Sequence, residues 1–375
     1  MSEKTINNID LHTGQEIFGQ PNLWEDVFNL INNQKERIES FIRPVLENQN
    51  LKIVLTGAGS SAFIGEAAQG LVQSATIRST QAIATTDIVT HPELFFLKDT
   101  PTLLVSFARS GNSPESVEAV NLANQHCKNI YHFIITCNKD GQLARYGKAN
   151  PENCFSLVLP DESNDKSLAM TGSFTSMLLS ILLVADIQNI GNKNQDINEI
   201  IALGNSILKE NKTLATVIDE PFDRVVFLGS GPMLGVAREC HLKLQELTDG
   251  QIICKHDSFL GFRHGPRAVV NEQTLVVYLF SNNSHVLRYE QDLAKDTATD
   301  PRNIKTIAFG GPEDLASTIK IDNNTENNSL HVVPATMIGQ LLGYNKSLQL
   351  GFNPDNPSVS GTISRVVQGV NIYKK

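Results

Sequence analysis

The chain is predicted to be an α/β protein made of two copies of one parallel-sheet unit, preceded by an N-terminal helical segment. Short apolar runs alternate with helical patterns along most of the chain, as parallel-sheet construction requires. The series then repeats. A shift of 172 residues lays Gly57-Ala58-Gly59 on Gly229-Ser230-Gly231, Ser110-Gly111-Asn112-Ser113 on Asn282-Asn283-Ser284-His285, and Ile134-Ile135 on Thr306-Ile307. An offset held constant over about eighty residues marks an internal repeat. Length agrees, since 375 residues exceed one ordinary compact domain.

Residues 21–47 open the pattern, with Leu23, Trp24, Val27, Phe28, Leu30, Ile31, Ile38, Phe41 and Ile42 at helical spacing. Pro21 suits a first helical turn, and Pro44 is expected to bend or end the segment. The first series of strand-like runs is Lys52–Leu55, Thr102–Phe107, Tyr131–Thr136 and Phe155–Leu159. The second is Arg224–Leu228, Thr274–Phe280, Lys305–Phe309 and Leu330–Val333. Between them lie a polar stretch, Asn189–Asn198, and a helix-like stretch, Ile200–Val217. The predicted domains are therefore a helical segment at 1–48, a first α/β domain at 49–205 and a second at 215–375.

Composition narrows the function classes. At 41% hydrophobic and 19% charged residues the chain reads as globular, and a net charge of −9 with no Lys/Arg-rich run argues against nucleic acid. The five cysteines (Cys127, Cys137, Cys154, Cys240, Cys254) form no C-x-x-C pair, so neither a zinc site nor a disulfide framework is expected. Met1-Ser2-Glu3-Lys4-Thr5 opens no apolar leader, and no run of eighteen apolar residues follows. The expectation is a cytoplasmic protein with no membrane partner, no metal and no cofactor.

Two turns suit an anion. Gly57-Ala58-Gly59-Ser60-Ser61 follows a strand-like run and opens a helix, where glycines permit a tight turn and N–H groups face outward. Arg109-Ser110-Gly111-Asn112-Ser113 does the same before Pro114, with Asn112 or Ser113 as the helix cap. A glycine–serine turn alone would be ordinary α/β construction; two of them, with Arg109 adding charge, favour a phosphate site. Thr171-Gly172-Ser173 is a third candidate that plain capping explains equally well. In the second copy Pro232 and Met233 replace Ser60 and Ser61, which makes that loop a poor oxyanion cradle.

The second copy instead carries Glu239, Lys243 and Glu246 at i, i+4 and i+7, on one helix face. Glu239 with Lys243 reads most simply as a solvent salt bridge. Glu246 ends the helix, where the macrodipole disfavours a carboxylate, and a carboxylate poised nearer neutrality is a better general base. His264 stands in the turn Arg263-His264-Gly265-Pro266. Turn histidines are mostly solvated, and the other eight histidines are assigned no chemistry.

Several segments together resemble the sugar isomerase (SIS) class, and within it the tagatose-6-phosphate ketose/aldose isomerase or galactosamine-6-phosphate deaminase/isomerase family. They are Gln20–Trp24, Leu55–Ile64, Ser106–Ser116, Ala237–Thr248, Asp257–Arg267 and Pro354–Gln368. The resemblance spans nearly the whole chain and implies two tandem flavodoxin-like domains. It implies that Ser60, Ser61, Ser110, Ser113 and neighbouring N–H groups hold the 6-phosphate of a small phosphosugar; Gly59, Arg109, Asn112, Thr171 and Ser173 complete the candidate binding set from the turns themselves. It further implies that Glu246 moves a proton between C1 and C2, that Lys243 matches a lysine of the class motif, and that His264 opens the ring. That histidine would be delivered across a homodimer, or a dimer of dimers. The implied reaction is galactosamine 6-phosphate to tagatose 6-phosphate and ammonia. Simple aldose–ketose isomerisation or glucosamine-6-phosphate deamination are the alternatives, and a non-catalytic phosphosugar-binding regulator is the alternative of another kind. Two departures stand out. Nothing before residue 50 could be the glutaminase domain of the class's synthases, and Gln368 stands where those enzymes place a tail lysine.

Overall fold

Ten strands form two five-stranded sheets in the computed structural model, which describes residues 10–325, 327–367 and 369–373. Gln368 lies outside the described residues, as does the Met1–Thr5 opening. The first sheet holds β1 (Lys52–Thr56), β2 (Ser79–Ala82), β3 (Thr102–Ala108), β4 (Ile130–Thr136) and β5 (Cys154–Val158), in the order β2-β1-β3-β4-β5. The second holds β6 (Arg224–Gly229), β7 (Ile253–Asp257), β8 (Thr274–Leu279), β9 (Lys305–Phe309) and β10 (Ile319–Ile321), in the order β10-β9-β8-β6-β7. Every pairing is parallel. Counted within its own sheet, each order is 2-1-3-4-5, the flavodoxin-like arrangement. Such sheets place their ligand loops where the chain switches direction, here after β1 and β3 and after β6 and β8.

Contacts gather the chain into two compact units, both discontinuous. The first, with β1–β5, is Asn22–Asp165, Gly172–Ile197 and Ile363–Lys375; the second, with β6–β10, is Met1–Pro21, Lys166–Thr171 and Asn198–Thr362. Compactness thus draws its lines elsewhere than the linear division at 1–48, 49–205 and 215–375.

The N-terminal helical pattern resolves into helices His12–Phe18, Gln20–Asn33 and Lys35–Leu46. Pro44 does not end the last of these, because it lies in the final turn and only two residues follow it. Within the first unit, the part of this segment from Asn22 onward packs on the sheet and on the helix Gly172–Ala185. Phe41 packs against Phe133 and Phe155, with centroids 6.3 and 5.8 Å away, and the fully buried Trp24 donates its indole N–H to Thr175 at 3.0 Å.

One predicted strand is wrong and three were not seen. Leu330–Val333 is helical, divided between a 3-10 turn, Ser329–His331, and the helix Val332–Ala335. An apolar run buried on all sides shows no period, so strand and helix read alike there. The side chain of Asn328 accepts the Leu330 N–H and starts the turn. The unseen strands β2, β7 and β10 are all sheet edges; β2 has one buried residue, Thr80, and β7 none, while β10 has only three residues, too few to show a period. The Ile200–Val217 stretch is two helices, Asn194–Lys209 and Asn211–Ile218.

No helix among the described residues is long and apolar enough to cross a membrane. The five cysteines are free thiols, four of them buried.

Candidate active site

In the first unit, β1 runs into a turn that only glycine permits. A Cβ on Gly57 would stand 2.5 Å from the Ser61 carbonyl carbon, and Gly59 has φ +56°. The helix Ser60–Thr76 starts there, with Ser60 and Ser61 both buried in its first turn. The Ser61 and Ala62 N–H groups close the turn onto Ala58 and Gly59 carbonyls at 3.1 and 2.9 Å. The space beside Gly59 is open, with nothing within 4 Å of an added Cβ.

After β3, Arg109–Ser113 is bolted to the next loop. Asn138 donates to the Ser110 carbonyl at 2.8 Å, and the Leu143 N–H donates to the Gly111 carbonyl at 3.1 Å. Asn112 does not cap the helix Pro114–His126; its side-chain oxygen accepts the Gln142 N–H at 3.0 Å and so caps the helix Gln142–Ala149. Ser113 holds the cap position before Pro114 but makes no side-chain capping bond. Its hydroxyl and that of Ser110, which accepts the Asn112 N–H at 3.3 Å, are the side-chain oxygens this turn presents.

Arg109 is buried and donates to the backbone carbonyl of Arg365 at 2.5 Å. Arg365 in turn donates to the Asp165 carbonyl and to Asn164. The Asp165 carboxylate accepts the N–H groups of Gly172 and Ser173, both at 3.0 Å, and the Ser173 hydroxyl at 2.5 Å. The start of the helix Gly172–Ala185 is therefore occupied by an internal carboxylate, and Ser173 is committed to it. Thr171 is buried, belongs to the second unit, and accepts from Gln340 through its carbonyl at 3.5 Å. No local pattern marks Asp165 or Arg365. Their partners lie up to 256 residues away.

In the second unit, the helix Pro232–Leu247 carries the acid–base candidates. Lys243 is 1% exposed, its Nζ 2.6 Å from Glu246 Oε2 and 3.4 Å from Glu239 Oε1. Glu239 is fully buried, so Glu239–Lys243 is an interior ion pair rather than a solvent bridge. Depth comes from a second helix, Met337–Gln349, that crosses very close. A Cβ on Gly339 would stand 2.4 Å from the Cys240 Cα, so only glycine lets the two backbones approach there. Glu246 keeps 23% of its side chain exposed in the last helical turn, and the chain leaves through Asp249 and Gly250 at positive φ. One buried ammonium thus orients a carboxylate that still reaches solvent.

His264 is exposed between the helix Phe259–Phe262 and the turn Gly265–Val269, and among the described residues its imidazole makes no hydrogen bond. His241 and His256 pack at a tilt with ring centroids 4.6 Å apart, and burial holds His256 down at about 4.

The second unit repeats the first unit's glycine turn in backbone, with Gly231 at φ +54° and ψ −124° against +56° and −129° for Gly59. Here Pro232 and the buried Met233 begin the helix. The fully buried Glu290, on the helix Ser284–Ala298, accepts the Ser281 N–H at 2.9 Å, with the Ser230 side chain beside its carboxyl. Burial pushes its carboxyl up to about 7, against the pull of those two donors. A raised carboxyl favours the folded state most below its unfolded pKa of about 4.5, and that advantage is lost as pH rises through about 7. Glu290→Gln should therefore flatten the stability profile between about pH 4.5 and 7, a change read by urea unfolding at several pH values. An unchanged slope would mean that this carboxyl is not the titrating group.

No cluster of three or more histidine, cysteine or acidic side chains able to hold a metal occurs among the described residues. The family described as the SIS domain matches residues 45–186. D-galactosamine-6-phosphate deaminase AgaS of Shewanella sp. (strain ANA-3) is 39% identical over 96% of this chain and 91% of its own. The crystal structure of tagatose-6-phosphate ketose/aldose isomerase from Escherichia coli is 35% identical, covers 97% of this chain and 96% of its own, and superposes with a TM-score of 0.88. A Clostridium novyi NT structure, provisionally described as the same isomerase, is 39% identical over 100% of this chain and 98% of its own, with a TM-score of 0.94.

Proposed function

The chain belongs to the family of AgaS D-galactosamine-6-phosphate deaminases, and we propose that it converts galactosamine 6-phosphate to tagatose 6-phosphate and ammonia in the cytoplasm. In this reading segments 49–205 and 215–375 are its two sugar isomerase domains. Ser60, Ser61, Ser110 and Ser113 hold the 6-phosphate, with Gly59 leaving room for it and Arg109 adding charge. Asn112 shapes the loop. Remote binding of this kind positions the reacting carbons. His264 opens the ring, Glu246 takes the C2 proton and returns it at C1, and the resulting C2 imine is hydrolysed to the ketose and ammonia.

The observation that carries this reading is the contact of Lys243 with Glu246, a buried cation fixing a part-exposed carboxylate at 2.6 Å. An amide or hydroxyl could not serve as that base. The test is ammonia release from a panel of galactosamine, glucosamine and mannosamine 6-phosphates. Release fastest from the galacto compound is expected. The likeness to tagatose-6-phosphate ketose/aldose isomerase supports a second reading, simple isomerisation. Interconversion of tagatose 6-phosphate with its aldose, with no ammonia from any amino sugar, would select it.

The active unit in this reading is a homodimer in which each active site combines Glu246 of one chain with His264 of the other. Glu246→Gln and His264→Asn should each be inactive. Mixed and allowed to exchange at random, they should recover about one quarter of wild-type activity, because each hybrid dimer has one intact site. Hybrids that form and stay inactive would place the histidine's action within its own chain, or remove it from the reaction.

A further inference from the structure

The second unit has the two turns that would cradle an anion, and something already fills them. One turn follows β6 and contains Ser230; the other follows β8 and contains Ser281. They correspond in topology to the phosphate turns after β1 and β3. A single side chain, Glu290, faces both: it accepts the Ser281 N–H at 2.9 Å, and the Ser230 side chain lies close enough to act on its carboxyl. It reaches them from beneath, since its helix packs on the sheet and the carboxyl is fully buried. At the matching helix position the first unit has no carboxyl. Glu290 is seven residues past its helix cap, Asn283, and the residue seven past Ser113 is Val120, 1% exposed in the apolar core.

A carboxyl at this depth is costly unless donors meet it. An apolar residue, as in the first unit, would pack without that cost but would leave the turn donors to whatever anion arrived. We propose that Glu290 is a built-in occupant of the second unit's anion turns, so that each chain holds a single phosphosugar. The proposal rests on the reading that the first unit's turns take the phosphate. The chain then keeps two copies of one architecture with a ligand in only one, and the other copy's turns are held in shape by a permanent internal ligand. Pro232, with no N–H to offer, works in the same direction.

Equilibrium dialysis of the full-length protein against radiolabelled inorganic phosphate tests this. Wild type should saturate at one phosphate per chain, and Glu290→Ala at two. Glu290→Gln keeps the volume and an acceptor for the Ser281 N–H, so it should stay at one. In Glu290→Ala, Ser230→Ala should weaken the gained phosphate and leave the first. A Glu290→Ala protein with wild-type circular dichroism that still saturates at one would overturn the proposal. So would a wild type that binds two, a measurement that stands even if the alanine variant fails to fold. Failure of the underlying reading looks different: the wild-type phosphate would survive Ser110→Ala with Ser113→Ala, while the increment caused by Glu290→Ala would still be counted.

Discussion

Glu246→Gln should reduce the turnover number by about 10²–10⁴-fold, the usual cost of losing a general base, while KM for the phosphosugar changes little. The amide keeps the shape and can still accept the Lys243 ammonium that now lies 2.6 Å from Oε2. It cannot take a proton from carbon. The proposed phosphate contacts are the serines of the turns after β1 and β3, so the substitution leaves them alone. Steady-state ammonia release gives both parameters. A turnover number near wild type would remove Glu246 from the reaction.

Lys243→Met should be among the most destabilising single changes in the chain. It leaves Glu239, 0% exposed, with its carboxylate stripped of the ammonium 3.4 Å away. Breaking one side of a buried pair typically costs about 3–5 kcal/mol, because the remaining buried charge loses its counter-ion. Urea unfolding should show the loss, and adding Glu239→Gln should restore much of it by removing the stranded charge. A single variant within about 1 kcal/mol of wild type, the range of exposed pairs, would mean that water reaches Glu239. The double variant should stay as inactive as the single one, because Lys243 also orients Glu246.

Much of the architecture is legible without coordinates because the signals are local. The turns at Gly57–Ser61 and Arg109–Ser113 announce themselves by glycine and hydroxyl chemistry, and seven of the eight predicted strands lie within a residue or so of where they form. Strands β2, β7 and β10 escape because edge positions ask little of a sequence; Ser79-Thr80-Gln81-Ala82 carries no apolar pattern to read. The run Leu330–Val333 misleads for the opposite reason. Leu330, Val332 and Val333 are apolar and His331 is itself buried, and the run precedes the helix Met337–Gln349, buried along nearly its whole length, so no exposed face reports the period.

By itself the sequence determined the α/β class, the two-sheet plan, the two glycine–hydroxyl turns and the helix face shared by Glu239, Lys243 and Glu246, since each follows from residues a few positions apart. Tertiary structure alone decided how deep that face lies. Spacing fixes which side chains share a stripe, but whether the stripe meets water depends on what covers it. Here the cover is a helix whose Gly339, about a hundred residues on, lets its backbone close against Cys240. The same distinction separates the anion turns. Ser173, Ser230 and Ser281 look as available in sequence as Ser110 and Ser113. In the fold, however, Ser173 is bonded to Asp165, the Ser281 N–H to Glu290, and Ser230 lies beside that same carboxyl. Helix starts attract anions wherever they occur. Only the folded chain decides whether the anion is its own.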